Sequence, residues 1–140
     1  MAAARDALRI RGARCSTPAH RSRSDPDAPV EPPSPSLGLH AAVTREATDR
    51  PGDAFVPAQR IALDEALTAY TETPARLSAR WPRCGNLSVS SLADLVVWDT
   101  DLHRLPPARL HEAAPVFTIL SGQVAFERAG VGAASGPGDR

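Results

Sequence analysis

The sequence predicts an α/β chain with its helices first and its short strands last, and three observations carry that reading. Leu63, Ala66, Leu67 and Tyr70 recur at i, i+3, i+4 and i+7, the spacing that gathers one apolar stripe on a helix. Leu92 to Trp98 is a short apolar run containing paired valines, which suits a strand better than a helix of that length. Val116 to Leu120 and Gln123 to Glu127 flank Ser121-Gly122, where glycine supplies the positive φ that a two-residue hairpin connection needs.

Composition bounds the rest. A chain of 140 residues, 42% apolar and 4% aromatic, fits one ordinary domain with few large core side chains and excludes a multidomain machine. No run approaches the roughly 18 apolar residues that cross a bilayer, and the amino terminus lacks the apolar centre of a secretory signal. A soluble cytoplasmic protein with no membrane partner is expected. Cys15 and Cys84 form no C-x-x-C pair, so they read as free thiols of a reducing compartment. All 16 basic residues are arginine, which excludes Schiff-base, P-loop and carboxylated-lysine chemistry. The zero net charge hides an asymmetry, because residues 1–23 hold six arginines against Asp6 alone.

In chain order, residues 1–23 show no sustained period and read as a disordered Arg-rich arm. Such an arm can bind nucleic acid or address an organelle, but a solvated tail or a start-site artefact is the plainer reading and no nucleic-acid partner is expected. Residues 24–35 carry five prolines and run extended. Ser34-Pro35 then opens a helix reaching about Glu46, with serine as N-cap and proline at the first helical position. Pro51-Gly52-Asp53 and Pro57 mark residues 48–60 as a turn-rich connection. A second helix is predicted from Leu63 to Leu77, divided at Pro74, with Ala75 to Arg80 as a following turn. Beyond Trp81-Pro82 come the strand at Leu92–Trp98, expected to be buried on both faces, and a short helix from Pro106-Pro107 to about Ala114. The hairpin and a flexible tail over residues 130–140 complete the chain.

Five words in this order carry a resemblance. Asp27-Ala28-Pro29-Val30, Leu37-Gly38-Leu39-His40-Ala41-Ala42-Val43-Thr44-Arg45 and Leu63-Asp64-Glu65-Ala66-Leu67-Thr68-Ala69-Tyr70-Thr71 are followed by Leu92-Ala93-Asp94-Leu95-Val96-Val97 and Thr118-Ile119-Leu120-Ser121-Gly122-Gln123-Val124. Together they resemble the carboxyl-terminal part of an amidohydrolase, nearest to the amidohydrolase-3 family with its N-substituted formamide deformylase-like proteins. The resemblance implies a metal-dependent hydrolase of non-peptide carbon–nitrogen bonds on a (β/α)8 barrel. Residues 24–82 would be the end of that barrel, meaning the loop after strand 8 and the terminal helices. Residues 83–129 would be late strands and the hairpin of a small β-sandwich. A divalent metal, zinc in the usual case, and a small amide-type substrate are implied for the full-length family.

The same resemblance makes Asp27 the catalytic carboxylate at the end of strand 8, touching the metal or its water and carrying the proton to the leaving nitrogen. The family's other ligands, a His-x-His pair among them, have no counterpart here, since His20, His40, His103 and His111 never stand at that spacing. One carboxylate cannot hold a catalytic zinc, so Asp27 in the isolated chain also reads as a solvated loop residue and the chain as catalytically incomplete. The other reading is a non-catalytic interaction module. It would complement a separate barrel half, or bind a partner through the basic arm or the P-x-x-P words at Pro29, Pro32 and Pro35. His40 is expected partly exposed on its helix, His103 and His111 at the surface, and Cys84 idle. Where the family has a Pro-Gly-Lys turn this sequence has Val89-Ser90-Ser91, so glycine's conformational freedom is missing there.

Overall fold

The computed structural model describes residues 33–130, in which helices precede a three-stranded antiparallel sheet. The Arg-rich arm, the proline-rich segment through Pro32 with Asp27, and residues 131–140 lie outside the described residues.

Helix α1 (Pro35–Thr44) starts as the Ser34-Pro35 pair predicts, although Ser34 makes no side-chain cap bond. It ends at Thr44 rather than near Glu46 because Arg45 turns left-handed, φ 61°, and donates its backbone N–H to the Ala41 carbonyl at 2.9 Å. Thr44 secures the exit. Its hydroxyl donates to the His40 carbonyl (2.8 Å) and accepts the Glu46 N–H (3.1 Å). Helix α2 (Leu63–Tyr70) begins at Ala62, whose N–H is taken by the Glu65 carboxylate reaching back at 2.8 Å. Helix α3 (Glu72–Leu77) follows after a break at Thr71, with φ −117° and ψ −77°. The predicted division at Pro74 is therefore corrected. Pro74 sits in the first turn of α3, where no backbone N–H is needed for an intrahelical bond, and the segment expected as a turn from Ala75 stays helical to Leu77.

The core lies between α1, α2 and a 3₁₀ turn at Pro107–Glu112. Leu39, Ala42, Ala66, Leu102, Leu110 and Ala113 are buried there, with Leu63, Leu67, Tyr70 and Trp98 packed around them. Gly38 permits the closest approach: a Cβ at that position would stand 1.8 Å from the Tyr70 hydroxyl.

Strands β1 (Leu95–Trp98), β2 (Pro115–Leu120) and β3 (Gln123–Glu127) lie side by side in chain order with β2 central. Leu95 faces Ile119 and Val97 faces Phe117 across one ladder, and Thr118 faces Phe126 across the other. The strand predicted from Leu92 starts at Leu95, because the Leu92 N–H bonds the Arg83 carbonyl (2.6 Å) and the Asp94 N–H bonds the Leu92 carbonyl (2.8 Å), away from the ladder. Nor is β1 buried on both faces: Val96 is 45% and Val97 41% exposed, as befits an edge strand that no second layer covers among the described residues. At the hairpin Ser121 (φ 51°) and Gly122 (φ 80°) are both left-handed, the pairing whose twist matches two-residue hairpins. No helix among the described residues is long and apolar enough to cross a membrane.

Candidate functional site

Four of the five sequence words fall among the described residues, and each makes a joint. Leu37–Arg45 supplies α1 and its exit, where Arg60 Nε donates to the Thr44 carbonyl (2.8 Å) and Arg45 Nε to the Phe55 carbonyl (3.1 Å). Leu63–Thr71 supplies the stripe that carries Tyr70 onto Gly38. The word beginning Leu92-Ala93-Asp94 grips the hairpin: Asp94 Oδ1 accepts the Ser121 N–H (2.8 Å) and the Ala93 carbonyl the Gly122 N–H (3.0 Å). These residues hold the helices and the sheet together, which is work for backbone caps and buried methylenes rather than for acids and bases.

Asp27, the sequence's candidate for catalysis and metal contact, lies outside the described residues, together with Asp25, His20 and Cys15. The histidines that are described do not converge on one site. His103 is exposed and its Nε2 stands 2.9 Å from Asp64 Oδ1, a bond that raises its proton affinity above the ordinary histidine value. His40, expected partly exposed, is buried at 4%, because its face of α1 is covered by the 3₁₀ turn. His111, expected at the surface, is half-buried on that turn, with its ring centroid 4.9 Å from that of His40. Desolvation by burial, then the neighbouring His111, push His40 below the ordinary histidine value, with Glu46 opposing. Among the described residues no group of three or more histidine, cysteine, aspartate or glutamate side chains could hold a metal ion.

An open cleft of about 490 Å³ is lined by Tyr70, Thr71, Ala75, Arg80, Cys84 and Asp94, among others. Cys84 is buried, as the idle-thiol reading predicts, and its Sγ stands 3.8 Å from the Arg80 carbonyl. Among the described residues no histidine lines the cleft to act as the base that activates a thiol nucleophile.

One residue with a clear role, Asp99, escapes the sequence reading. Asp99 binds the ends of all three strands: it accepts the Ala114 N–H (3.1 Å) and the Arg128 guanidinium (3.0 Å), bonds that hold its carboxyl below the ordinary aspartate value. Nothing short-range marks it, because its partners stand far along the chain. Ser90 takes φ 74°, so the glycine-type backbone survives where the glycine does not. The conformational freedom expected to be missing with the Pro-Gly-Lys turn is thus taken up by a serine.

The comparisons add a family. Residues 18–126 match the family model described as the Amidohydrolase family, amidohydrolase-3 type. The chain is 30% identical over 103 residues to the amidohydrolase YtcJ of Bacillus subtilis (strain 168), covering 73% of this chain and 20% of that protein. It is 32% identical over 104 residues to the N-substituted formamide deformylase of Arthrobacter pascens, covering 74% of this chain and 19% of the enzyme. The matched region thus spans about a fifth of each curated relative. No solved structure matches the chain.

Proposed function

The chain belongs to the Amidohydrolase family, and from that premise we propose that it is the carboxyl-terminal part of a metal-dependent hydrolase of carbon–nitrogen bonds in small amides. The carrying observation is the match across residues 18–126, which takes in all five ordered words. The relative named as an N-substituted formamide deformylase supports the substrate class. In this reading residues 24–82 close a (β/α)8 barrel, residues 83–129 add late strands to a β-sandwich, and the protein works in the cytoplasm.

Zinc is the metal the family implies, but the described residues do not fit it. A catalytic zinc takes three protein ligands, and no three donors converge among residues 33–130. The described portion is therefore a structural support, and Asp27 is the single proposed catalytic and metal-contacting residue of the chain. By itself the chain is catalytically incomplete, the remaining donors being supplied by the rest of an amidohydrolase barrel.

The test mixes the purified full chain with an amidohydrolase piece that carries the His-x-His pair and ends before barrel strand 8, and follows release of formate from an N-substituted formamide. Hydrolysis is expected only in the mixture and falls by about 10²–10⁴-fold with Asp27→Ala. A mixture that hydrolyses equally well with Asp27→Ala, or hydrolysis by the chain alone, overturns the reading.

A further inference from the structure

The contact between His40 and His111 plays no part in the proposed hydrolysis, yet it sits where the helices meet the sheet. His40 is 4% exposed on α1, and His111 belongs to the Pro107–Glu112 turn that leads directly into β2. The rings meet nearly at right angles, 82° between planes, the edge-to-face arrangement that two uncharged aromatic rings favour. His111 Nδ1 is fully buried and has no hydrogen-bond partner among the described residues. A neutral imidazole can leave that nitrogen as a bare acceptor. A protonated one would place an N–H and a positive charge on a buried nitrogen with nothing to receive them among the described residues.

The surrounding charges do little to offset such a proton. At the end of α1, Glu46 favours charge on His40, but Arg45 carries the like sign and Glu46 is already engaged by Arg60 at 3.3 Å. On the turn, Glu112 is paired with Arg109 at 2.7 Å. On α2, Asp64 holds His103 at 2.9 Å and Glu65 holds the Ala62 N–H at 2.8 Å.

We propose that the His40–His111 contact is an acid-operated release: uncharged, it closes α1 onto the turn that feeds β2, and a proton taken by His40 opens that joint. The direction follows from linkage. Burial, then the neighbouring His111, depress proton binding at His40 in the closed form, so the open form binds that proton first. The joint is complete above the ordinary histidine value and weakens as pH falls through about 6.5 towards the closed-form value of His40. In that window the open-to-closed ratio grows by up to about tenfold per pH unit.

Two-dimensional NMR of the full chain tests this by following the histidine ring shifts from about pH 7.5 to about pH 4.5. Amide exchange in α1 and residues 107–114, corrected for intrinsic pH dependence, is measured alongside. Expected are a His40 ring that stays neutral below the range where His103 titrates, and amide opening that rises on acidification. His111→Phe, which removes the neighbouring ring's repulsion, flattens that rise, and His40→Phe removes it. A His40 ring that titrates at the ordinary value with no change in amide opening overturns the proposal, as does a rise that persists in His40→Phe. Should a phenylalanine variant fail to fold, the ring titration and amide exchange of the unsubstituted chain decide alone.

Discussion

In the helical layer Leu39 and Leu110 are 1% and 2% exposed, whereas in the sheet Val96, Val97, Leu120, Val124 and Phe126 are each between 41% and 57% exposed. Both regions are written in apolar residues. The difference is geometrical: α1, α2 and the 3₁₀ turn bury apolar side chains against one another, while a sheet has two faces. The core reaches the sheet through Trp98 on β1, and Val116 is its one buried strand residue. Apolar patterning in the sequence thus states what a residue is suited for, and only a neighbouring layer turns suitability into burial.

The largest expected effect breaks the comparison if it fails to appear. Leu39→Ala and Leu110→Ala should each cost about 2–5 kcal/mol in urea unfolding, because each removes a fully enclosed side chain. Val124→Ala on the open sheet should stay within about 0.5 kcal/mol. Equal losses in the two regions would show that the sheet is covered as thoroughly as the helices. Next comes Gly85→Ala. Its added Cβ would stand 2.7 Å from Ala75 Cβ and 2.9 Å from the Thr71 carbonyl, at φ 83°, so a loss of about 1–3 kcal/mol is expected as a lowered thermal midpoint. A smaller effect of opposite sign sharpens the picture of the connection between the regions: Ser90→Gly relieves a left-handed serine and should stabilise by up to about 1 kcal/mol.

The smallest effect is electrostatic. His103 holds its proton above the ordinary value through Asp64, so this link is present below that value and is lost as pH rises through the raised one. Asp64→Asn should bring the His103 ring titration, followed by NMR, back to the ordinary range. An unmoved titration would show that the Asp64 contact is not what binds the proton.

What was legible in the sequence is what short-range chemistry decides. Pro35 opens α1, Leu63 to Tyr70 form a stripe, and Ser121-Gly122 turn the hairpin, because each signal sits within a few residues of its effect. The end of α1 was not legible: Arg45 takes the left-handed place where glycine is the usual sign, held by Phe55 from across a loop. The break at Thr71 likewise falls not at Pro74 but where α3 starts against Gly85, a neighbour distant in the sequence. Burial of His40 was hidden because Leu37, Leu39, Ala41, Ala42 and Val43 surround it with apolar neighbours on most sides of α1, so the period does not choose a face. Of the candidate site, Asp27 was legible only through resemblance. The His40–His111 contact joins two elements that no local pattern links.

The most direct test of the proposal that every catalytic donor other than Asp27 comes from outside this chain is a calorimetric titration of zinc into the purified full chain with formamide hydrolysis assayed on the same sample. No tight stoichiometric binding and no turnover are expected. One zinc bound tightly per chain, with hydrolysis abolished by Asp27→Ala, would contradict it.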